Sequence, residues 1–154
     1  MVKIKIVATG SGKEKELTKS VEDFTKRLSA WANVSVVYVP EFAPKNNGEI
    51  ENSKKKESVL QLKSFEGFTI CLDRRGEMLS SEEFAKKIDN IMLSSSTITF
   101  VIGGSCGFSK EVLDKANFVM SFGKITFPHE IMKLVLIEQI YRAFSINNNL
   151  PYHK

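Results

Sequence analysis

Cysteine and histidine are scarce in this chain of 154 residues, which contains only two of each. The two cysteines and two histidines do not stand at the spacing of metal ligands, so we expect no zinc or other metal site. Cys71 and Cys106 fall at or just after predicted strands, and no export signal precedes them. We therefore expect free thiols rather than a disulfide bond.

Long apolar runs are also missing. No stretch approaches the roughly 20 apolar residues that cross a bilayer, so no membrane-spanning helix is expected. The N-terminal segment MVKIKIVATG alternates lysine with isoleucine and lacks the apolar core and small-residue cleavage site of a signal peptide. It predicts a first strand, and we expect the protein in the cytoplasm.

A strong excess of charge is absent as well. The net charge of +4 at pH 7 favours an anionic partner. Many metabolic enzymes share such a charge, so it does not decide between RNA binding and other functions. The length is typical of one domain, which we expect to span residues 1–154.

Predicted strands and helices alternate along the chain. Strands are expected at 2–8, 34–40, 68–73 and 97–104, and helices near 17–31, 81–92 and 129–146. This pattern predicts an α/β fold with a mostly parallel sheet and helices on both faces. Ligands of such sheets bind beyond the carboxyl ends of the strands, which directs attention to the loops 72–77, 103–108 and 121–129.

The polar segment 44–58 contains three consecutive lysines, at positions 54–56. It predicts a solvated loop that leads into an exposed helix, and a dedicated RNA contact is the alternative.

The last predicted helix has an unusually wide apolar surface. Its apolar positions are Ile131, Met132, Leu134, Val135, Leu136, Ile137, Ile140, Tyr141, Ala143, Phe144 and Ile146. A surface helix of a monomer shows one narrower stripe. We expect the sheet to cover one side and a second copy of the chain to cover the other, which makes a homodimer. The alternative is a helix buried wholly inside one subunit.

Two glycine-bearing loops resemble known motifs only in part. The run Gly10 to Lys13 follows a strand as a phosphate loop would, but Val7 and Glu14 stand where that motif needs glycine and a hydroxyl residue. The run GGSCG at 103–107 spells the G-x-S-x-G of a hydrolase nucleophile elbow. A hydrolase would use Ser105 with an acid and a histidine further along the chain, which requires Asp114 followed by His129 or His153.

The last third of the chain resembles a known family. The run VIGGSCGFS, followed by ITFPHEIMKLVLIEQIYRAFSINNNLPYHK, is similar to the RlmH family of 23S rRNA pseudouridine N3-methyltransferases, within the SPOUT superfamily. The TFPH segment, the Tyr-Arg-Ala block and the terminal PYH occur together and in order. The likeness covers the whole chain, including the start KIKIVATGSGK and the LDRRG loop.

The resemblance implies an α/β fold whose C-terminal part is threaded into a trefoil knot. It also implies a pocket for S-adenosylmethionine, made by three loops. The matching residues are Leu72, Gly103, Gly104, Phe122, Gly123, Lys124, Ile125, Thr126 and Phe127. Some members carry a proline and an acidic residue at positions 105 and 106, and a small residue at 124, so side-chain roles at these three positions do not follow from the resemblance.

The implied substrate is a pseudouridine in a hairpin of 23S rRNA, met on the assembled ribosome. The resemblance predicts that Arg142 anchors a phosphate or the base, and that Tyr152 and His153 from one subunit close the pocket of the other. His153 is a candidate for the base that removes the N3 proton, with Tyr152 or a water as alternatives. His129 is expected to begin the last helix and support the donor loop. The competing functions are a hydrolase at Ser105 and a non-catalytic ribosome-binding module.

Overall fold

The structure is a computed structural model that describes residues 1–12 and 15–154. Lys13 and Glu14, and with them part of the phosphate-loop interpretation, lie outside the described residues. The strands are β1 (Val2–Thr9), β2 (Ala32–Val39), β3 (Phe68–Met78), β4 (Thr97–Ile102) and β5 (Phe118–Ser121). The helices are α1 (Lys15–Leu28), α2 (Ile50–Lys63), α3 (Ser81–Met92), α4 (Lys110–Lys115) and α5 (His129–Asn147), and a 3-10 turn (Asn47–Glu49) precedes α2.

All five strands form one parallel sheet in the order β2-β1-β4-β3-β5. Side chains of the strands point into two apolar layers, one on each face of the sheet. Ile4 and Ile6 of β1 face the layer covered by α1, α3 and α5, whereas Val7 faces the layer covered by α2 and α4. The predicted α/β class, with a mostly parallel sheet and helices on both faces, is confirmed. The trefoil knot stays a prediction. None of the described helices is both long enough and apolar enough to cross a membrane.

Helix α5 lies against the sheet between α1 and α3 and is covered mainly by its own chain. Leu136, Ile137 and Ile140 are fully buried. Ile131 remains 39% exposed, and Leu134 and Val135 are half-buried. The chain itself therefore covers much of this helix, because α1 and α3 flank it as well as the sheet. Ile131, Leu134 and Val135 keep an apolar surface at the first half of the helix, and the homodimer stays a prediction.

Helix α2 differs from the sequence prediction of an exposed helix. Its polar residues Ser53, Glu57, Ser58 and Gln61 are buried. Gln61 donates from Nε2 to Thr9 Oγ1 at 3.0 Å, and Ser58 donates its hydroxyl to a backbone carbonyl of its own helix. Apolar spacing could not reveal this burial, because the buried groups are polar and find their partners only in the folded chain.

Strand β3 contains an interruption that the sequence does not predict. Met120 of β5 pairs with both Leu72 and Glu77, so residues 73–76 leave the hydrogen-bonded ladder and form a long bulge. Gly76 lies against β5, and a Cβ at this position would stand 2.6 Å from the carbonyl oxygen of Val119. The bulge projects over the carboxyl edge of the sheet, and bulges commonly redirect side chains toward functional sites.

Candidate active site

A cavity of about 640 Å³ lies at the carboxyl edge of the sheet. Sites for small molecules are typically about 300–1,000 Å³. Its walls come from the three predicted segments. Residues 72–77 lie within β3 as its bulge rather than after the strand, and the other two segments follow β4 and connect β5 to α5. The lining includes Leu72, Gly103, Gly104, Phe122, Gly123, Ile125, Thr126 and Phe127. Eight of the nine residues predicted to hold the methyl donor are therefore brought together in one cavity.

Lys124 is the exception. Its neighbours Gly123 and Ile125 line the cavity, but Lys124 is exposed and is not part of the wall. Gly123 has φ +113°, a backbone conformation that favours glycine. The turn it makes leaves Lys124 outside the cavity wall.

The absence of a side chain at Gly104 lets the loop after β4 pack closely against two other residues of the protein. A Cβ there would stand 2.8 Å from Glu57 Oε1 and 3.0 Å from Glu41 Oε1. The loop after β4 thus packs directly on two carboxyl groups, and its backbone forms part of the cavity wall. Together with the size of the cavity, backbone-lined glycine loops fit a nucleoside-containing ligand such as S-adenosylmethionine.

The two carboxyl groups beneath this loop have different environments. Glu41 Oε1 accepts the Ser105 backbone N–H at 2.7 Å. Glu57, only 1% exposed, accepts the Phe42 backbone N–H at 2.9 Å with Oε2. Its other oxygen, Oε1, is buried and has no hydrogen-bond partner among the described residues. Neither acid was singled out from the sequence, where Glu57 is one charge among several after a lysine run.

These environments shift the two pKa values in opposite directions. Burial raises the pKa of Glu57; the Phe42 N–H lowers it and the charge of Glu41 raises it further, so the net shift is upward. Burial also opposes ionisation of Glu41, but hydrogen bonds from Ser105, together with the electrostatic effect of the nearby His129, outweigh it and lower the pKa of Glu41. Glu41 therefore carries the negative charge more readily than Glu57.

His129 begins α5, as predicted, and lines the cavity. Its ring packs on Gly10, where a Cβ would be 2.5 Å from Nε2, and Nε2 lies 3.7 Å from Glu130 Oε1. Glu130 Oε2 also pairs at 3.0 Å with the fully buried Lys133, whose ammonium contacts the hydroxyl of Tyr38. This buried network fixes the start of α5 against β1 and β2.

The geometry does not support a hydrolase centre. A nucleophile elbow passes directly from strand to helix. Here α4 begins only at Lys110, five residues after Ser105. Asp114 pairs with Lys110 at 2.6 Å, and His153 contacts Glu82 at 2.7 Å. The hydrolase triad with His153 is therefore not assembled, and His129, which does reach the cavity, lies beside Glu130 instead of Asp114.

Arg142, Tyr152 and His153 form a cluster of their own around Glu138. Glu138 Oε1 accepts from Arg142 Nη2 at 2.7 Å and from the Tyr152 hydroxyl at 2.9 Å. Arg142 Nη1 lies 3.0 Å from His153 Nδ1. Burial and the hydrogen bond to Glu138 raise the pKa of Tyr152, which keeps the phenol protonated. Glu138 was missed from the sequence, although its i,i+4 spacing to Arg142 could have indicated it.

This cluster, which we call the tail cluster, lies away from the cavity of its own chain. His129 at the start of α5 lines the cavity, and Arg142 follows 13 positions later in the same helix. At 1.5 Å per residue that separation is about 20 Å along the helix axis. One chain therefore assembles the cavity and the tail cluster at two separate places.

Comparison with known proteins identifies the family. A family model described as predicted SPOUT methyltransferase matches residues 2–153. The chain belongs to the SPOUT methyltransferase family. The three loops at the carboxyl edge are thus those of a SPOUT protein, and the resemblance drawn from the VIGGSCGFS and TFPH segments is confirmed.

Close relatives of this SPOUT protein extend over its full length. It is 46% identical over 159 aligned residues to ribosomal RNA large subunit methyltransferase H of Carboxydothermus hydrogenoformans, covering 99% of this chain and 100% of that protein. The protein of the same name from Clostridium botulinum strain 657 is 42% identical over 157 residues, covering 98% of this chain and 99% of that protein.

Solved structures support the fold. A probable methylase family protein from Haemophilus influenzae Rd KW20 matches with a TM-score of 0.55 and 13% identity, over 99% of this chain and 70% of that one. The tRNA (m1G37) methyltransferase of Aquifex aeolicus matches with a TM-score of 0.52 and 17% identity, over 92% and 69%. At these identities the likeness concerns the fold alone.

Proposed function

We propose that this protein transfers a methyl group from S-adenosylmethionine to 23S rRNA, at N3 of a pseudouridine in a hairpin of the assembled ribosome. The observation that carries the proposal is the cavity made by three loops, in a chain whose full-length relatives are named ribosomal RNA large subunit methyltransferase H. We place the protein in the cytoplasm, where ribosomes are found, as a single domain over residues 1–154.

The donor would be held by the cavity described above. Backbone groups of Gly103 and Gly104 and of residues 122–127 would take the polar edges of the nucleoside, and Leu72 would pack on its apolar face. When bound, the donor supplies an electrophilic methyl group on a sulfonium. The protein must then hold the base in line, exclude water and accept the N3 proton, and none of these tasks requires a metal.

We assign positioning of the base to Arg142 and Tyr152, and removal of the N3 proton to His153, of the other subunit in a homodimer. Two observations support this arrangement. The tail cluster lies about 20 Å along α5 from the cavity of its own chain, so it cannot serve that cavity without large movement. In addition, Ile131, Leu134 and Val135 leave an apolar surface on α5 next to the cavity. Two-fold packing of this surface would bring two copies of α5 together.

Donor binding tests the proposal most directly. Calorimetry with S-adenosylmethionine and with its demethylated product should detect binding to the wild type, and Gly104→Trp should abolish it, because the loop has no space for a side chain at Gly104. Ser105→Ala should bind donor like the wild type and should methylate ribosomes from a strain that lacks the modification. Loss of methylation in Ser105→Ala with intact donor binding would favour chemistry at that serine. A protein that binds ribosomes with no dependence on donor would be a non-catalytic module, and the proposal would be wrong.

A further inference from the structure

The bulge in β3 places cations at the mouth of the cavity. Lys54 of α2 and the consecutive residues Arg74 and Arg75 of the bulge all line it, together with Asp73. We call Lys54, Arg74 and Arg75 the mouth cations. The entrance is therefore lined by three positively charged side chains and one carboxylate. Among the described residues, the rest of the lining contains no other lysine, arginine or carboxylate and consists mainly of glycine and apolar residues.

The three cations are not equally available. Asp73 accepts hydrogen bonds from the Arg75 side chain with both oxygens, from Nε to Oδ1 at 2.8 Å and from Nη2 to Oδ2 at 2.9 Å, and it also accepts the Arg75 backbone N–H. This pair fixes the bulge and neutralises Arg75. The Nζ of Lys54 lies 3.7 Å from Oε1 of Glu51, whose side chain is 80% exposed. Arg74 is exposed and has no ion pair or hydrogen bond from its side chain within residues 1–12 and 15–154.

We propose that Arg74, assisted by Lys54, binds a phosphodiester group of the RNA strand next to the target base. The inference rests on the proposed function and names the contact by which that site would hold its substrate. A base that reaches the donor must enter the cavity, and its flanking phosphates must remain at the mouth. A guanidinium presents paired N–H donors that match two phosphate oxygens, whereas an ammonium acts as a point charge.

The alternative anion that Arg74 could bind is the carboxylate of the methyl donor. Arg74 would contact that carboxylate even without RNA, so a measurement of donor affinity alone distinguishes it from an RNA phosphate. Phosphate contacts also leave a distinct signature. Each one makes binding more sensitive to salt, because counterions are released from the RNA.

The test compares Arg74→Ala and Arg74→Lys with Lys63→Ala. Lys63 is an exposed cation in the last turn of α2, on the face of the sheet opposite α5 and the tail cluster. Because α2 returns the chain to the start of β3, this residue lies at the opposite edge of the sheet from the cavity. Each variant is assayed with labelled S-adenosylmethionine and ribosomes from a strain that lacks the modification, over a range of KCl concentrations. Calorimetry with the demethylated donor product is run in parallel.

We expect Arg74→Ala to raise KM for ribosomes about tenfold with kcat unchanged, as for loss of one charge-assisted hydrogen-bonded contact. The slope of log KM against log salt should fall by about 1. Arg74→Lys should restore the slope and part of the affinity. Donor affinity should stay at the wild-type value in all three variants, and Lys63→Ala should match the wild type throughout.

Two results would overturn the inference and leave the proposed function standing. One is an Arg74→Ala protein that behaves like Lys63→Ala. The other is a loss of donor affinity in Arg74→Ala with an unchanged salt slope, which would assign Arg74 to the donor carboxylate. If the wild type neither binds donor nor methylates ribosomes, the proposed function fails first, and this inference fails with it.

Discussion

Replacing Glu57 by glutamine should stabilise the folded protein at neutral pH but not at acidic pH. Glu57 is buried beneath the loop after β4, and its Oε1 has no hydrogen-bond partner among the described residues. In Glu57→Gln the amide oxygen can still accept the Phe42 N–H. The amide nitrogen would take the place of Oε1 near Glu41, to which it can donate. The change thus removes a buried charge and supplies a donor where the wild type has an unpaired acceptor.

The magnitude follows from the unpaired oxygen. A buried polar group left without a partner costs about 1–3 kcal/mol, which for a chain of this size corresponds to about 2–4 °C in Tm per kcal/mol. The pH dependence follows from the raised pKa of Glu57. A carboxyl group whose pKa is raised by folding is favoured when protonated, so the wild type loses stability as pH rises from the unfolded value of 4.5 through the folded value. Glutamine cannot ionise and escapes this loss.

Thermal unfolding at pH 4.0 and pH 7.5 measures the effect. Glu57→Gln should melt at a higher temperature than the wild type at pH 7.5 and close to it at pH 4.0. Glu51→Gln is the matched control, because Glu51 lies on the same helix with an 80% exposed side chain. It should stay within about 0.5 kcal/mol of the wild type at both pH values. A less stable Glu57→Gln at pH 7.5, or a gain of equal size at both pH values, would refute the reasoning.

Two further predictions concern the tail and the bulge. Removal of residues 151–154 should abolish methylation while light scattering still detects the dimer, and a fully active truncated protein would contradict the role assigned to the tail. Gly76→Ala should destabilise the protein by about 1–3 kcal/mol in urea unfolding, as overpacking typically does, because its Cβ would meet the carbonyl oxygen of Val119 at 2.6 Å. Gly48→Ala, at an exposed turn, should cost clearly less, and equal losses would show that backbone crowding at the bulge is not the cause.

Features set by local spacing could be predicted from the sequence. Helix α3 runs from Ser81 to Met92 as predicted, because apolar residues recur at helical intervals. The Ser80 hydroxyl accepts the Glu83 N–H at 3.1 Å and caps its start. The prediction that the loops 72–77, 103–108 and 121–129 would meet also holds, since parallel strands place their carboxyl ends along one edge.

Features that depend on distant contacts could not be predicted. Strand β5 has only four residues, Phe118–Ser121, too few for a clear alternation, and it was not expected as a strand. The bulge exists because Met120 pairs twice along β3, which no local pattern encodes. The acid pair of Glu41 and Glu57 is made by residues 16 positions apart that meet only when α2 docks under the loop after β4. Resemblance supplied the tail residues but not Glu138, which joins them.

The origin of the cavity walls also affects how the chain acquires its activity. The walls are taken from the middle of the chain and from its final third, and they meet only when β5 has paired with β3 and the start of α5 has reached β1. During synthesis the chain would have no complete cavity until the connection from β5 to α5 and the start of α5 had been added. If the methyl donor binds there as proposed, donor concentration would be coupled to global folding, adding about 2.7 kcal/mol to stability at a hundredfold excess over Kd.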